Sequence, residues 1–198
     1  MVEFRYAERK DVTLILWFIK QLASYEKLLD EVVADEQTLE EWMFDKNKAE
    51  VIFALEDGKE VGIALFFHNF STFLGRSGIY LEDLFVIPEY RGKGYGKALL
   101  KRLAAIAVER KCGRLEWVCI NWNQPSIDFY LSLGAKPMSE WTLYRVDGET
   151  LNQWSYVKKK YKLRMTFSGY FFLLVSTNYF ECFLLQFFMI FFLILIRG

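Results

Sequence analysis

The spacing of hydrophobic positions changes along the chain, and each change marks an element. Residues 2–7 alternate and predict a strand. Leu14, Leu16, Trp17, Phe18, Ile19, Leu22 and Ala23 recur at helical spacing and predict a helix over roughly 12–27, with Asp11 as its N-cap. Asp35 caps a second, shorter helix through Leu39, Trp42 and Met43. Val51–Leu55 and Val61–Phe70 predict strands joined by Glu56-Asp57-Gly58-Lys59, where Asp-Gly between apolar runs signals a tight hairpin. A loop over 72–78 leads to a strand, Ile79–Ile87, stopped by Pro88. Gly94 to about Arg110 predicts a helix with a stripe of Ala98, Leu99, Leu100, Leu103, Ala104, Ile106 and Ala107. Leu115–Ile120 predicts a further strand. Pro125 opens a helix through Ile127, Phe129, Tyr130 and Leu133, which Gly134 closes. Ala135–Val146 predicts a last strand or hairpin. The order β-α-α-β-β-β-α-β-α-β implies an α/β chain with a mixed sheet (α+β in character) rather than a regular doubly wound one.

Composition adds a division. The 198 residues hold 25 Lys+Arg and 25 Asp+Glu, a balance that disfavours a basic nucleic-acid binder. Residues 1–157 carry 19 basic and 24 acidic side chains, net −5, whereas residues 158–198 carry six and one, net +5. All six Trp lie in the first part. One acidic domain over 1–157 is expected, followed by a tail of a different kind over 158–198. In that tail Lys158, Lys159, Lys160, Lys162 and Arg164 precede residues 167–196, of which 23 are apolar or aromatic. Two readings fit it: a C-terminal membrane anchor with a basic cytoplasmic flank, or out-of-frame or read-through translation behind a domain ending near residue 160. The charged start, Met1-Val2-Glu3-Phe4-Arg5-Tyr6, has no apolar signal region, so a cytoplasmic protein is expected, membrane-anchored only through a genuine tail.

Cysteine and histidine usage removes several chemistries. Cys112, Cys119 and Cys182 form no Cys-x-x-Cys pair, giving neither a disulfide framework nor a zinc ribbon. His68 is the sole histidine and lies in an aromatic strand, Phe66-Phe67-His68-Asn69-Phe70, where a structural role is expected. No metal site is predicted.

The stretch richest in chemistry is Leu81-Glu82-Asp83-Leu84-Phe85-Val86-Ile87-Pro88-Glu89-Tyr90-Arg91-Gly92-Lys93-Gly94-Tyr95-Gly96-Lys97. A strand runs into three alternate glycines, and a long helix follows. Glycine permits positive φ and close approach of a ligand, and a helix start presents unpaired N–H groups. Such a junction is a phosphate cradle. It is not a Walker A loop, because neither Gly-Lys pair is followed by Ser or Thr, and its spacing is not the dinucleotide fingerprint.

Arg91-x-x-Gly94-x-Gly96 matches the R/Q-x-x-G-x-G/A signature, and here the chain resembles GNAT-type N-acetyltransferases. Leu22-Ala23-Ser24-Tyr25-Glu26-Lys27, Ile79-Tyr80-Leu81-Glu82-Asp83, Trp122-Asn123-Gln124-Pro125-Ser126-Ile127-Asp128-Phe129-Tyr130 and Leu133-Gly134-Ala135 resemble blocks of the spermidine/spermine and thialysine branch. The resemblance spans roughly residues 3–150 and implies the GNAT acyl-CoA N-acyltransferase fold with an apolar C-terminal extension. It also implies acetyl-CoA as co-substrate and a homodimer.

By the same resemblance, Leu84, Phe85 and Val86 line the pantetheine. Gly92, Lys93, Gly94, Tyr95, Gly96 and Lys97 hold the pyrophosphate, and Asn123, Gln124, Pro125 and Ser126 form a second cofactor-contacting block. Tyr130 matches the general acid that protonates the departing thiolate, and a phenol near pKa ~10 suits that task. Tyr25, Glu26 and Glu82 match acceptor-binding positions. Strand alternation turns Glu82 and Asp83 to opposite faces; the resemblance selects Glu82 for the cleft and leaves Asp83 structural or on the far face. Asp30, Glu31, Asp35, Glu36, Glu40 and Glu41 could extend an acidic cleft or form a solvated helix face. The implied reaction is direct attack of a small polyamine, diamine or thialysine-like amine in a ternary complex. A membrane-tethered acetyl-CoA-binding protein without turnover and an acetyltransferase for protein amines are the alternatives.

Overall fold

Turn chemistry and alternation build most of the sheet. Asp57 and Gly58 both take positive φ, 52° and 77°, as a two-residue hairpin turn requires. They join β2 (Glu50–Glu56) to β3 (Lys59–Ser71). With β1 (Glu3–Tyr6), β4 (Arg76–Val86) and β5 (Leu115–Trp117) these form one sheet in the order β1-β2-β3-β4-β5. Neighbours are antiparallel except β4 and β5, which are parallel, so the sheet is mixed as expected. The computed structural model describes residues 2–155, which fall into two units, one ending at Pro137 and one beginning at Met138. The tail over 158–198, in either reading, lies outside the described residues.

Helices cover the sheet with two cores. From α1 (Val12–Tyr25), Ile15 and Phe18 pack with Met43, Val51, Phe53, Ile63, Leu65 and Phe85. From α3 (Tyr95–Glu109), Leu99, Leu103 and Ile106 pack with Ile52, Ala54, Val61, Ala64, Phe66 and Leu81. Adjacent strand residues thus enter different cores, as a period of two demands. Phe18, Phe53 and Phe66 are fully buried, each stabilising the fold by about 2–3 kcal/mol. Asp35 caps α2 (Glu36–Glu40) by accepting from Thr38 N at 2.7 Å, and a π turn, Glu41–Asp45, continues it. Among the described residues no helix is long and apolar enough to cross a membrane.

Four sequence expectations are corrected. Asp11 does not cap α1 through its side chain; its carboxylate is taken by Arg5, at 2.7 and 3.0 Å, and by Glu8 N–H. Trp17, counted with the buried stripe, is 42% exposed, and Ile15 fills the core instead. The strand expected over Leu115–Ile120 ends at Trp117. The strand or hairpin expected over Ala135–Val146 does not form: residues 135–147 have no regular structure, and Trp141, Leu143 and Tyr144 are exposed. Alternation alone cannot make a strand, because its backbone groups need a ladder partner. The second unit contains α5 (Gly148–Ser155).

Candidate active site

The sheet opens between β4 and β5. Their ladder has only three pairs, Ile79 with Leu115, Tyr80 with Glu116 and Leu81 with Trp117. On the other edge of β4, Phe66 faces Leu81 and Leu65 faces Asp83, so Glu82 is the extra residue of a β-bulge. A bulge bends its strand and breaks the ladder, and pairing with β5 stops there. Residues 83–86 therefore pair with β3 alone. Leu84, Phe85 and Val86, expected along the pantetheine, lie on this strand edge. The Val86 carbonyl accepts from Arg91 Nε at 2.9 Å.

Beyond β4 lies the glycine loop. Gly92 and Gly94 have φ of 76° and 91°, and Gly94 is the N-cap of α3. The first helical bond runs from Ala98 N to Gly94 O, leaving the N–H groups of Tyr95, Gly96 and Lys97 ahead of the ladder. Gly96 is different: a Cβ there would meet only Phe129 and Val86, at 3.8 and 3.9 Å. Its missing side chain leaves room for a ligand rather than permitting a backbone twist. The residues present therefore fit a diphosphate. Lys97 is exposed, whereas Lys93 Nζ sits 3.2 Å from Glu56 Oε1 and 4.8 Å from the Tyr90 ring centre. The Arg91 guanidinium leaves the loop and lies 4.8 Å over the Tyr25 ring and 5.2 Å over that of Phe85.

The opposite wall is α4 (Gln124–Ser132). Asn123 is its buried N-cap, accepting from Ser126 N at 3.4 Å and from the Tyr25 hydroxyl at 3.1 Å. Pro125 occupies the first turn, where no N–H is needed. Gln124 Nε2 is turned to Asp128 Oδ1, 2.7 Å away, within its own helix. Tyr130 packs between Trp117 and Phe129, with ring centres 5.1 and 5.4 Å away. Burial, reinforced by Cys119, Glu26 and Tyr25, pushes its phenol up to about 12, so it keeps its proton. Tyr130 from α4 and Glu26 from the end of α1 thus share one electrostatic environment.

Carboxylates complete the site. Burial raises Glu26 above its ordinary range. Asp83 is pushed up to about 6, by burial first and then by the charges of Glu82 and Glu26. The expectation for Asp83 is corrected. Its ladder partner Leu65 and its neighbour two along, Phe85, both belong to the core under α1, so Asp83 is on the face that carries Glu26. Glu82 is exposed at the bulge. Simple alternation failed because the bulge inserts one residue. Of the six further acids, Asp35 caps α2, Glu40 pairs with Arg9 and Glu41 pairs with Lys46. Cys112 and Cys119 are free, and burial raises the Cys119 thiol, making it a poor nucleophile. His68 is exposed on β3 opposite Ile79. No group of side chains suited to a metal occurs among the described residues.

Sequence reasoning set aside Asp83 and gave no role to Glu56, nor a place to the Arg91 side chain. The Glu82-Asp83 pair was a visible signal, but its facing depended on the bulge.

Residues 14–135 match the model of the acetyltransferase (GNAT) family. The thialysine N-epsilon-acetyltransferase of Bos taurus is 35% identical over 164 residues, covering 77% of this chain and 96% of that protein. An L-ornithine N5-acetyltransferase of Arabidopsis thaliana is 44% identical over 97 residues, 49% of this chain and 42% of that protein. The solved structure of an integron cassette protein from V. cholerae superposes with a TM-score of 0.67 at 31% identity, covering 78% of this chain and 98% of that one.

Proposed function

The chain belongs to the GNAT family of acetyltransferases, and we propose that it moves acetyl from acetyl-CoA to a primary amine of a small, multiply charged acceptor. The observation that carries this reading is a chain of coupled groups: Glu82 and Glu26 both act on the buried Asp83 carboxyl, and Glu26 also acts on the Tyr130 phenol. An alkylamine of pKa ~10 is about a thousandfold protonated at pH 7, so an enzyme must bind a cation and then deprotonate it. Anionic side chains serve the first need. Asp83, titrating near 6, serves the second, because a base poised near working pH is both unprotonated and able to accept.

With its first proton taken by Asp83 and passed on to solvent, the free amine nitrogen attacks the thioester carbonyl in a ternary complex. As the C–S bond breaks, Tyr130 gives its proton to the thiolate and is reprotonated by the proton the new amide nitrogen loses. The N–H groups of the loop from Gly92 to Lys97 hold the diphosphate, and the edge of Leu84, Phe85 and Val86 aligns the pantetheine. Asn123 and the start of α4 flank it. No acyl-enzyme forms, since burial and the Glu26 charge raise the Cys119 thiol and leave it a poor nucleophile.

Thialysine and ornithine, named for two relatives, are amino acids with a second amine, which three acids suit better than a singly charged amine. Diamines and polyamines meet the same requirement. The test is release of free CoA thiol with thialysine, ornithine, lysine, putrescine, spermidine and a peptide amine. Turnover with the small dicationic amines is expected. Turnover only with a peptide amine, or none despite acetyl-CoA binding, would overturn the acceptor reading.

A further inference from the structure

The phosphate loop faces an anion of the protein's own. Glu56, the last residue of β2, reaches Lys93 Nζ with both oxygens, at 3.2 and 3.3 Å, and accepts from Tyr95 Oη at 2.7 Å. Lys93 lies between Gly92 and Gly94, and Tyr95 is the first residue of α3, so both partners belong to the cradle itself. Lys59, across the hairpin, lies 5.6 Å over the same Tyr90 ring that Lys93 covers. Asp57 adds a second negative charge near Tyr95. Tyr95 and Lys93 hold the Glu56 carboxyl below its usual range, so it is an anion at neutral pH.

We propose that Glu56 is a specificity-determining residue of the phosphate site, withholding Lys93 from weak anions and yielding it to a ligand anchored elsewhere as well. The inference rests on the acetyl-CoA reading above. One ammonium cannot fully satisfy two anions. A free phosphate would have to displace Glu56 with the help of the loop alone. A ligand held also by the β4 edge and the start of α4 can compete for Lys93 at no loss of anchorage. Discrimination then comes from a built-in rival as much as from attraction.

Calorimetric titration of the full chain tests this, using wild type, Glu56→Gln, Lys93→Met and the double variant against CoA, inorganic pyrophosphate and pantetheine. Glutamine keeps an oxygen for Tyr95, so the loop stays tethered. Glu56→Gln is expected to bind pyrophosphate about 3- to 10-fold tighter, the scale for freeing one solvent-facing cation, and CoA by a smaller factor. Pantetheine, which carries no phosphate, should bind both proteins equally. With Met at position 93 the gain should fall below about twofold, as expected when the two residues act through each other. Unchanged or weaker pyrophosphate binding in Glu56→Gln, or a gain for CoA as large as that for pyrophosphate, would overturn the proposal, and so would a gain that persists without Lys93. Wild-type protein that binds no CoA would overturn the cofactor reading and the proposal with it.

Discussion

The hydroxyl of Tyr25 donates to Asn123 Oδ1 at 3.1 Å, joining the end of α1 to the N-cap of α4 across 98 positions of sequence. The Arg91 guanidinium covers the same tyrosine ring, so the end of α1, the glycine loop and the N-cap of α4 all meet at Tyr25. A residue matched by resemblance to the acceptor is thereby tied to residues proposed for the cofactor. Tyr25→Phe keeps the ring, its contact with Arg91 and its packing against Trp122. It should cost about 1 kcal/mol of stability, the net worth of one hydrogen bond, measurable by urea titration. The KM for acetyl-CoA should rise more than that for the amine; the reverse order would return Tyr25 to the acceptor.

The glycines of the loop should separate into two kinds. Gly94, at φ 91°, cannot take a side chain without strain, so Gly94→Ala should lose about 1–2 kcal/mol. Gly96 has ordinary space for a methyl group and sits in the first turn of α3. Gly96→Ala should therefore match or exceed wild-type stability, by up to about 1 kcal/mol. It should nonetheless weaken acetyl-CoA by about tenfold or more, the equivalent of one lost hydrogen bond. Thermal melts and calorimetry read the two effects separately. Unaltered cofactor affinity in Gly96→Ala would remove this residue from the cradle.

Asp83 gives a pH dependence of defined sign. Its carboxyl moves from an ordinary 3.8 up to about 6 on folding, so the native state holds the extra proton between those values. Stability attributable to this group is complete below about pH 4 and lost as pH rises through about 6, on the order of 3 kcal/mol by pH 7. Asp83→Asn should therefore raise the melting temperature at pH 7 and flatten its slope between pH 4 and 6. If Asp83 is the base, the same variant loses the rising limb of kcat/KM near pH 6. A stabilised variant with an intact limb would assign the base elsewhere.

Glu82→Gln tests the coupling within the same cluster. Glu82 is one of two charges holding Asp83 up, so its removal should move the rising limb of kcat/KM to lower pH. The KM for a dicationic amine should rise, and that for acetyl-CoA should not. A limb that stays in place would show that burial and Glu26 set the Asp83 titration without Glu82.

Tyr130→Phe keeps the ring that packs on Trp117 and Phe129 and removes one hydroxyl. Folding and acetyl-CoA affinity should be nearly native. As loss of a general acid, kcat and kcat/KM should fall together by about a hundredfold or more. Near-native turnover with a lowered melting temperature would make the hydroxyl structural.

Some of this protein is written locally. The Asp57-Gly58 turn, the Asp35 cap, the stripe of α3 and the glycine junction before it each depend on a few neighbouring residues, whose backbone preferences are the same in any fold. Those features, with the blocks around Tyr25, Glu82 and Asn123, were enough to imply the architecture and most of the candidate site. What the sequence could not carry is whatever depends on a ladder partner or a distant charge. The bulge at Glu82 exists because β4 meets β3 and β5 in registers that no single segment specifies, and it alone turns Asp83 toward Glu26. The alternating residues of 135–146 form no strand, because a pattern needs an edge to pair with. Lys93 meets Glu56 across 37 positions, and Arg91 turns from the loop to Tyr25, because the tertiary structure brings an unlike charge to one and an aromatic face to the other.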